Sequence, residues 1–211
     1  LLLIMSAALA LTAVNGITQH SYLTALLAGA VWAFILYRLC ARGKLKVLAS
    51  TNTRKTALLL TLLCAAVNLA WVLAVRIEPF SDYETYWQTA CALALGGEID
   101  APWYIAMYPH ILGCSTFLSI FLKIFGEHVM VAAVINVILT CLSGLLIYGI
   151  CLHLASPLTA ALAYLLWIVC PSKLMLNPLV FSEPLYTCLI LLFFYLIVLI
   201  EGQRESLPRR P

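Results

Sequence analysis

The chain of 211 residues is 64% hydrophobic and only 10% charged, where soluble domains run about 45–50% apolar and about 25% charged. That excess, with a mean hydropathy of +1.03, excludes both a disordered chain and a single water-soluble core. Twelve Lys and Arg against nine Asp and Glu leave a net +3, spread thinly and without a basic stripe, which excludes a nucleic-acid-binding surface.

What remains is an all-α polytopic membrane protein. The first apolar stretch, Leu1–Ile17, opens with neither Met nor a basic region, so it reads as the N-terminal part of a longer membrane protein entered midway through a helix. Tyr22–Cys40 completes an N-terminal hairpin, and the link ARGKLKVLASTNTRK closes a first region over residues 1–55. The link carries Arg42, Lys44, Lys46, Arg54 and Lys55, with Arg38 just before it and no acid, and the positive-inside rule makes it cytoplasmic.

Thr56–Ile77 and Val129–Leu152 are long enough to cross hydrocarbon about 30 Å thick. Ile111–Phe125, Leu158–Val169 and Leu185–Ile200 are the other apolar stretches after the link, and the tail over residues 201–211 reads as a cytoplasmic polar loop with Arg204, Arg209 and Arg210. Two cytoplasmic ends require an even number of crossings, so one stretch does not cross. Ile111–Phe125 is short, interrupted by Gly113, Ser115, Ser119 and Lys123, and fits a helix lying on or dipping into the outer face. Leu158–Val169 crosses once flanking residues complete it, with Pro157 at its start and Pro171 near its end. Residues 78–128 then form a large external loop, and residues 171–184 a second external turn.

Inside the large loop, SDYETYWQTACALALGG predicts a helix. Ser81 and Glu84 form a capping box, Tyr83, Trp87, Ala90, Cys91 and Ala94 share an apolar face, and Gly96 and Gly97 stop it. Five cysteines (Cys40, Cys64, Cys141, Cys151 and Cys188) sit in apolar runs and act as small hydrophobes, no CxxC pair exists, and Cys91 and Cys114 could pair. Asn68 and Asn136 are polar side chains inside apolar runs, suited to hydrogen bonds between helices.

The chemistry-bearing residues fall in the two external segments. Asp82 and Glu183 each open a helix, where an acid favours the helix dipole; the same carboxylates can take a proton from an acceptor hydroxyl or hold a metal beside a phosphate. WYIAMYPHILG supplies Trp103, Tyr104, Tyr108 and His110, and His110 at a helix start suits a phosphate oxygen. Lys123 and Lys173 are further contacts for a lipid phosphate, or snorkel to head groups.

FSDYETYW with the later ALGG, then MYPHILGCSTFLSIFLKIFGEH, then CPSKLMLNPLVFSEPLY resemble, in topological order, elements of the membrane glycosyltransferases of the GT-C fold. The nearest kinds are bacterial relatives of the dolichyl-phosphate-mannose protein mannosyltransferases and of the aminoarabinose transferase that modifies lipid A. The resemblance covers residues from about 56 to 200 and consists of single residues in order rather than a contiguous signature. It implies a transferase moving a sugar from a polyprenyl-phosphate donor to a protein, lipid or glycan acceptor at the external or periplasmic face of the cell membrane. Asp82, Glu84 and Glu183 would be the catalytic acids. Tyr83, Trp87, Tyr104, Tyr108, His110, Lys123 and Lys173 would line the substrate cavity, and Asp82 and Glu183 would hold a divalent cation such as Mg or Mn. Many relatives carry adjacent acids where this chain has Asp82, Tyr83 and Glu84, so either acid can fill the first position. A transporter or flippase subunit and a non-catalytic envelope assembly protein are the alternatives from other classes. Coupled transporters, however, place polar sites near the bilayer midplane, where this chain has almost no charge.

Overall fold

The computed structural model describes residues 52–100 and 102–206, together with Val31, Phe34 and Arg38. The N-terminal hairpin, most of the basic link and residues 207–211 lie outside the described residues. Among those described there are eight helices and no strand. They are α1 (Thr53–Ala74), α2 (Asp82–Leu95), α3 (Pro102–Met107), α4 (His110–Phe125), α5 (Val129–Leu154), α6 (Pro157–Ile168), α7 (Pro171–Leu176) and α8 (Glu183–Ser206).

Helices α1, α5 and α8 are long and apolar enough to cross a membrane, which fits a membrane protein. Helix α1 starts where Asn52 Oδ1 accepts the Arg54 backbone N–H at 3.0 Å. Helix α5 is central: 56% of its most apolar stretch is buried, against 22% for α1 and none for α8. The outward faces of α1 and α8 leave Leu58, Leu62, Phe193, Phe194 and Ile197 exposed, a surface that water would penalise and lipid accepts.

Side-chain bonds fix which helix ends meet. Tyr148 of α5 donates to the Thr53 carbonyl at 3.1 Å, so the end of α5 lies beside the start of α1. Tyr164 of α6 donates to Thr61 Oγ1 and to the Cys141 carbonyl, both at 3.1 Å, which brings α6 back antiparallel to α5. Helix α8 runs parallel to α5, with the Tyr195 ring packed over Gly149. Arg54 and Lys55 therefore lie at one end of the bundle, and the starts of α5 and α8 at the other.

One core joins Leu60, Cys64 and Val72 of α1 with Val137 and Cys141 of α5 and Ala160, Ala161, Tyr164 and Ile168 of α6. Close approach depends on Gly144, because a Cβ there would collide with the Tyr164 ring. Gly144→Ala is expected to destabilise the protein by about 2–3 kcal/mol. Gly113→Ala, where the added Cβ meets open space, should be neutral or stabilising through helix propensity; detergent-solubilised thermal unfolding of both variants checks the pair.

The return across the bundle expected of Leu158–Val169 is made differently. Helix α6 stops at Ile168, and the chain restarts at Pro171 as α7, so Pro171 opens a second short helix rather than closing the first. Proline at a first helical turn loses no helix hydrogen bond, whereas inside a longer helix it would break one. The tail also differs from the expected loop, since α8 continues to Ser206; Glu201, Gln203, Arg204 and Glu205 are good helix formers, and Pro208 follows only later.

Beyond α7 the chain turns inward. Leu179, Val180 and Phe181 are buried, and with Tyr86, Ala90, Ala94, Ile105, Ile111, Cys114, Leu118 and Leu122 they form a second core at the end opposite Arg54. Asn177 is held beneath them at 1% exposure. Its amide donates to Asn68 Oδ1 at 2.6 Å, its side-chain oxygen accepts from Thr140 at 2.9 Å, and Asn136 donates to the carbonyls of Asn177 and Leu179 at 3.1 and 2.7 Å. Asn68 is thus joined to Thr140 of α5 through a third amide that periodicity does not mark, while Asn136 ties α5 to the turn after α7 rather than to another helix.

Candidate functional site

Helix α2 begins without the expected capping box. Ser81 has φ 53°, ψ −130°, and makes no side-chain cap, while Glu84 turns outward and accepts from Gln88 Nε2 at 2.9 Å. That positive-φ backbone is strained for any residue but glycine. At the other end Gly96, at φ 75°, caps α2 as the sequence leads one to expect.

The buried face of α2 is also rotated from the one read in the sequence. Tyr86, Thr89, Ala90 and Ala94 are buried, and Tyr83, Trp87 and Cys91 are half-buried at its edge. Tyr86 tolerates the interior because its hydroxyl meets Ser182 Oγ at 3.2 Å across 96 residues of sequence. Helix α4 clamps the arrangement from behind: Ser115 donates to the Tyr86 carbonyl at 2.9 Å, and the Cys114 thiol to the Phe181 carbonyl at 3.5 Å.

These contacts bring the starts of α2, α4 and α8 together and link the two separated acids through an arc of side chains. Tyr104 donates to Asp82 Oδ1 at 2.9 Å, and its ring lies 4.7 Å from that of Tyr108. Tyr108 meets His110 at 6.1 Å, His110 meets Tyr86 at 6.2 Å, Tyr86 reaches Ser182, and Ser182 donates to Glu183 Oε2 at 3.4 Å. Asp82, Glu183, Tyr108 and His110 are exposed, so the arc opens outward. Tyr83 stands edge-on to Phe181 at 5.9 Å and braces α2 against the turn before Glu183.

Burial, with the charges of Glu183 and Asp82 adding to it, holds the Tyr86 hydroxyl above the ordinary tyrosine range, against the opposing bond to Ser182. The carboxylate of Asp82 raises Tyr104 by accepting its proton in a hydrogen bond. Cys91 and Cys114 do not pair; both are free thiols. Burial, then the Glu183 charge, pushes Cys114 up to about 12, and burial, then Glu127, pushes Cys91 to about 11. At pH 8 the Cys114 thiolate fraction is on the order of one in ten thousand. Iodoacetamide should therefore label Cys114 about a thousandfold more slowly in the folded protein than in the unfolded one. Peptide mass spectrometry checks the rate, and Glu183→Gln should speed it.

Four expected residues stand apart from the arc: Glu84, bonded to Gln88, Trp87, packed at the edge of the core, and the two lysines. Lys123 is in the last turn of α4, about 20 Å along the helix from His110. Lys173 lies over the Trp167 ring at 5.4 Å, a cation–π contact. Sequence reasoning missed Tyr86 and Ser182. Tyr86 stands four residues before Ala90 on the buried face, a signal that was available; Ser182 carried none.

Among the described residues no three His, Cys, Asp or Glu side chains gather as a metal site. A closed, all-protein cage thus has no ligand set there. A Mg²⁺ ion that keeps most of its waters needs only one or two protein carboxylates. Comparison of the chain with protein-family models, with curated proteins and with solved structures finds no significant match.

Proposed function

We propose that the protein is an integral membrane glycosyltransferase that moves a sugar from a polyprenyl-phosphate donor to an envelope acceptor at the external membrane face. The observation that carries this reading is the continuous arc from Asp82 to Glu183, set at the end of the bundle opposite Arg54 and Lys55. Those two cations belong to the basic link, whose charge favours the cytoplasm, so the arc takes the outer side.

Each part of the arc has a task in such a transfer. The Asp82 carboxylate, oriented by the Tyr104 hydroxyl, takes the proton of the acceptor hydroxyl as its oxygen bonds to the anomeric carbon. The bond from that carbon to the phosphate oxygen breaks, and its electron pair leaves with the lipid phosphate. Three helix N-termini converge there, and neither α2 nor α4 is capped by a side chain. The positive ends of their helix dipoles favour the phosphate's growing charge. The faces of Tyr104 and Tyr108 suit the apolar side of a sugar ring. Asp82 and Glu183 would hold a divalent cation, which would supply further charge stabilisation when bound.

The transporter alternative would draw on the buried amides Asn68, Asn136 and Asn177. They are bonded to one another, to backbone carbonyls and to Thr140, which fits a structural node better than a substrate path. The test is incubation of the full-length protein in liposomes with a synthetic polyprenyl-phosphate hexose labelled in the sugar. Label moved to envelope acceptors extracted from cells and added to the liposomes supports transfer; gradient-dependent passage of label across the vesicle without a new glycosidic bond overturns it.

A further inference from the structure

A cavity of about 260 Å³ opens where α1 ends and α5 begins, and it shares no residue with the arc from Asp82 to Glu183. Its walls bring together Arg76, Glu78, Glu127 and His128. Among the described residues, none of these four side chains makes a hydrogen bond or ion pair. Charges of both signs thus line one space without neutralising each other.

The two helix ends repeat the pattern. Val72 and Val75 place the end of α1 in the wall, and Val129 and Met130 place the start of α5 there. The carbonyl end of a helix favours a cation and the N–H end an anion, each acting as about half a charge. The last turn of α1 has no basic residue, the first turn of α5 has no acidic one, and His128 makes no side-chain cap; the nearest opposite charges are Arg76, two residues beyond α1, and Glu127, two residues before α5. Leading away from the cavity along α1, Leu69 and Leu73 are 37% and 59% exposed.

We propose that this cavity binds a head group carrying a phosphate and a primary amine together, of the phosphoethanolamine kind. The phosphate lies toward Arg76 and His128, and the ammonium toward Glu78 and Glu127. The space is just below the range of ordinary small-molecule pockets, which suits a head group, with Leu69 and Leu73 offering an apolar track for acyl chains. A membrane phospholipid and soluble glycerophosphoethanolamine share this chemistry. The assignment does not depend on sugar transfer, and its test does not read transfer.

The test is native mass spectrometry of the full-length protein released from bilayers of phosphatidylethanolamine, phosphatidylglycerol and phosphatidylcholine in equal parts. The expected result is a predominance of phosphatidylethanolamine adducts. Arg76→Gln should lower them about tenfold, the worth of one charge-assisted contact. Glu78→Gln with Glu127→Gln should abolish the preference over phosphatidylglycerol while phosphate-lipid adducts persist. Equal adducts of the three lipids, or phosphatidylethanolamine adducts unchanged by Arg76→Gln, overturn the proposal. If Arg76→Gln loses helix content by circular dichroism, Glu127→Gln alone reads the amine half: a retained preference overturns it and a lost one supports it. Displacement of the lipid by added glycerophosphoethanolamine identifies the head group alone as sufficient, and persistence of the lipid adduct identifies the intact lipid as the ligand.

Discussion

Asp82→Asn in the full-length protein is expected to lower donor-dependent sugar transfer by about 10²–10⁴-fold, the range a positioned general base contributes. Asparagine keeps the shape and can still accept the Tyr104 hydroxyl, so helix content and thermal stability should hold while the proton acceptor is lost. Tyr104→Phe removes only the orienting bond and should cost about fivefold to tenfold. Glu84→Gln should have little effect, because Glu84 faces away and bonds Gln88. A transfer assay on the three variants separates the acids that the sequence left as alternatives.

The Tyr104 bond also predicts a pH signature. Its hydroxyl is raised above the ordinary tyrosine value by Asp82. The proton that makes the bond is therefore held in the folded state beyond the point at which an unfolded tyrosine, near pH 10, would release it. The contribution is fully present below about pH 10 and is lost as pH rises through the higher folded value. Ultraviolet titration should show a late-ionising tyrosine that Tyr104→Phe removes.

Asn177→Ala is expected to cost about 3 kcal/mol of stability, because it strands Asn68 and Thr140 as buried polar groups without their partner. Asn68→Ala with Asn177→Ala should cost less than the sum of the two single changes, since one stranded partner is removed with the other. The consequence reaches the site, because the same node anchors the segment that carries Phe181, Ser182 and Glu183. Chemical unfolding in detergent measures the stability, and the Cys114 labelling rate should rise as the segment loosens.

The long apolar helices α1, α5 and α8 and the stop at Gly96 were legible because their causes are local: apolar length and a glycine able to adopt positive φ. Placing Asp82, His110 and Glu183 at or beside helix starts followed from the same local signals. What escaped was set by distant partners. Tyr86 is buried because Ser182 meets it from 96 positions away, and Asn177 turns inward because Asn68 waits 109 positions before it. The capping box failed because the chain reaches Ser81 with a positive φ, which a four-residue pattern cannot reveal. The split between α6 and α7 was visible as Pro171, yet proline alone does not say whether it ends one helix or starts another.

The account rests on Asp82 and Glu183 sharing the outer face, opposite the basic link. We would label single cysteines with a membrane-impermeant maleimide in intact cells, using Asp82→Cys, Glu183→Cys and Leu45→Cys on a cysteine-free background. The account predicts labelling at 82 and 183 and none at 45 until the membrane is opened. Labelling of 82 and 183 from opposite faces, or of 45 alone from outside, would contradict it.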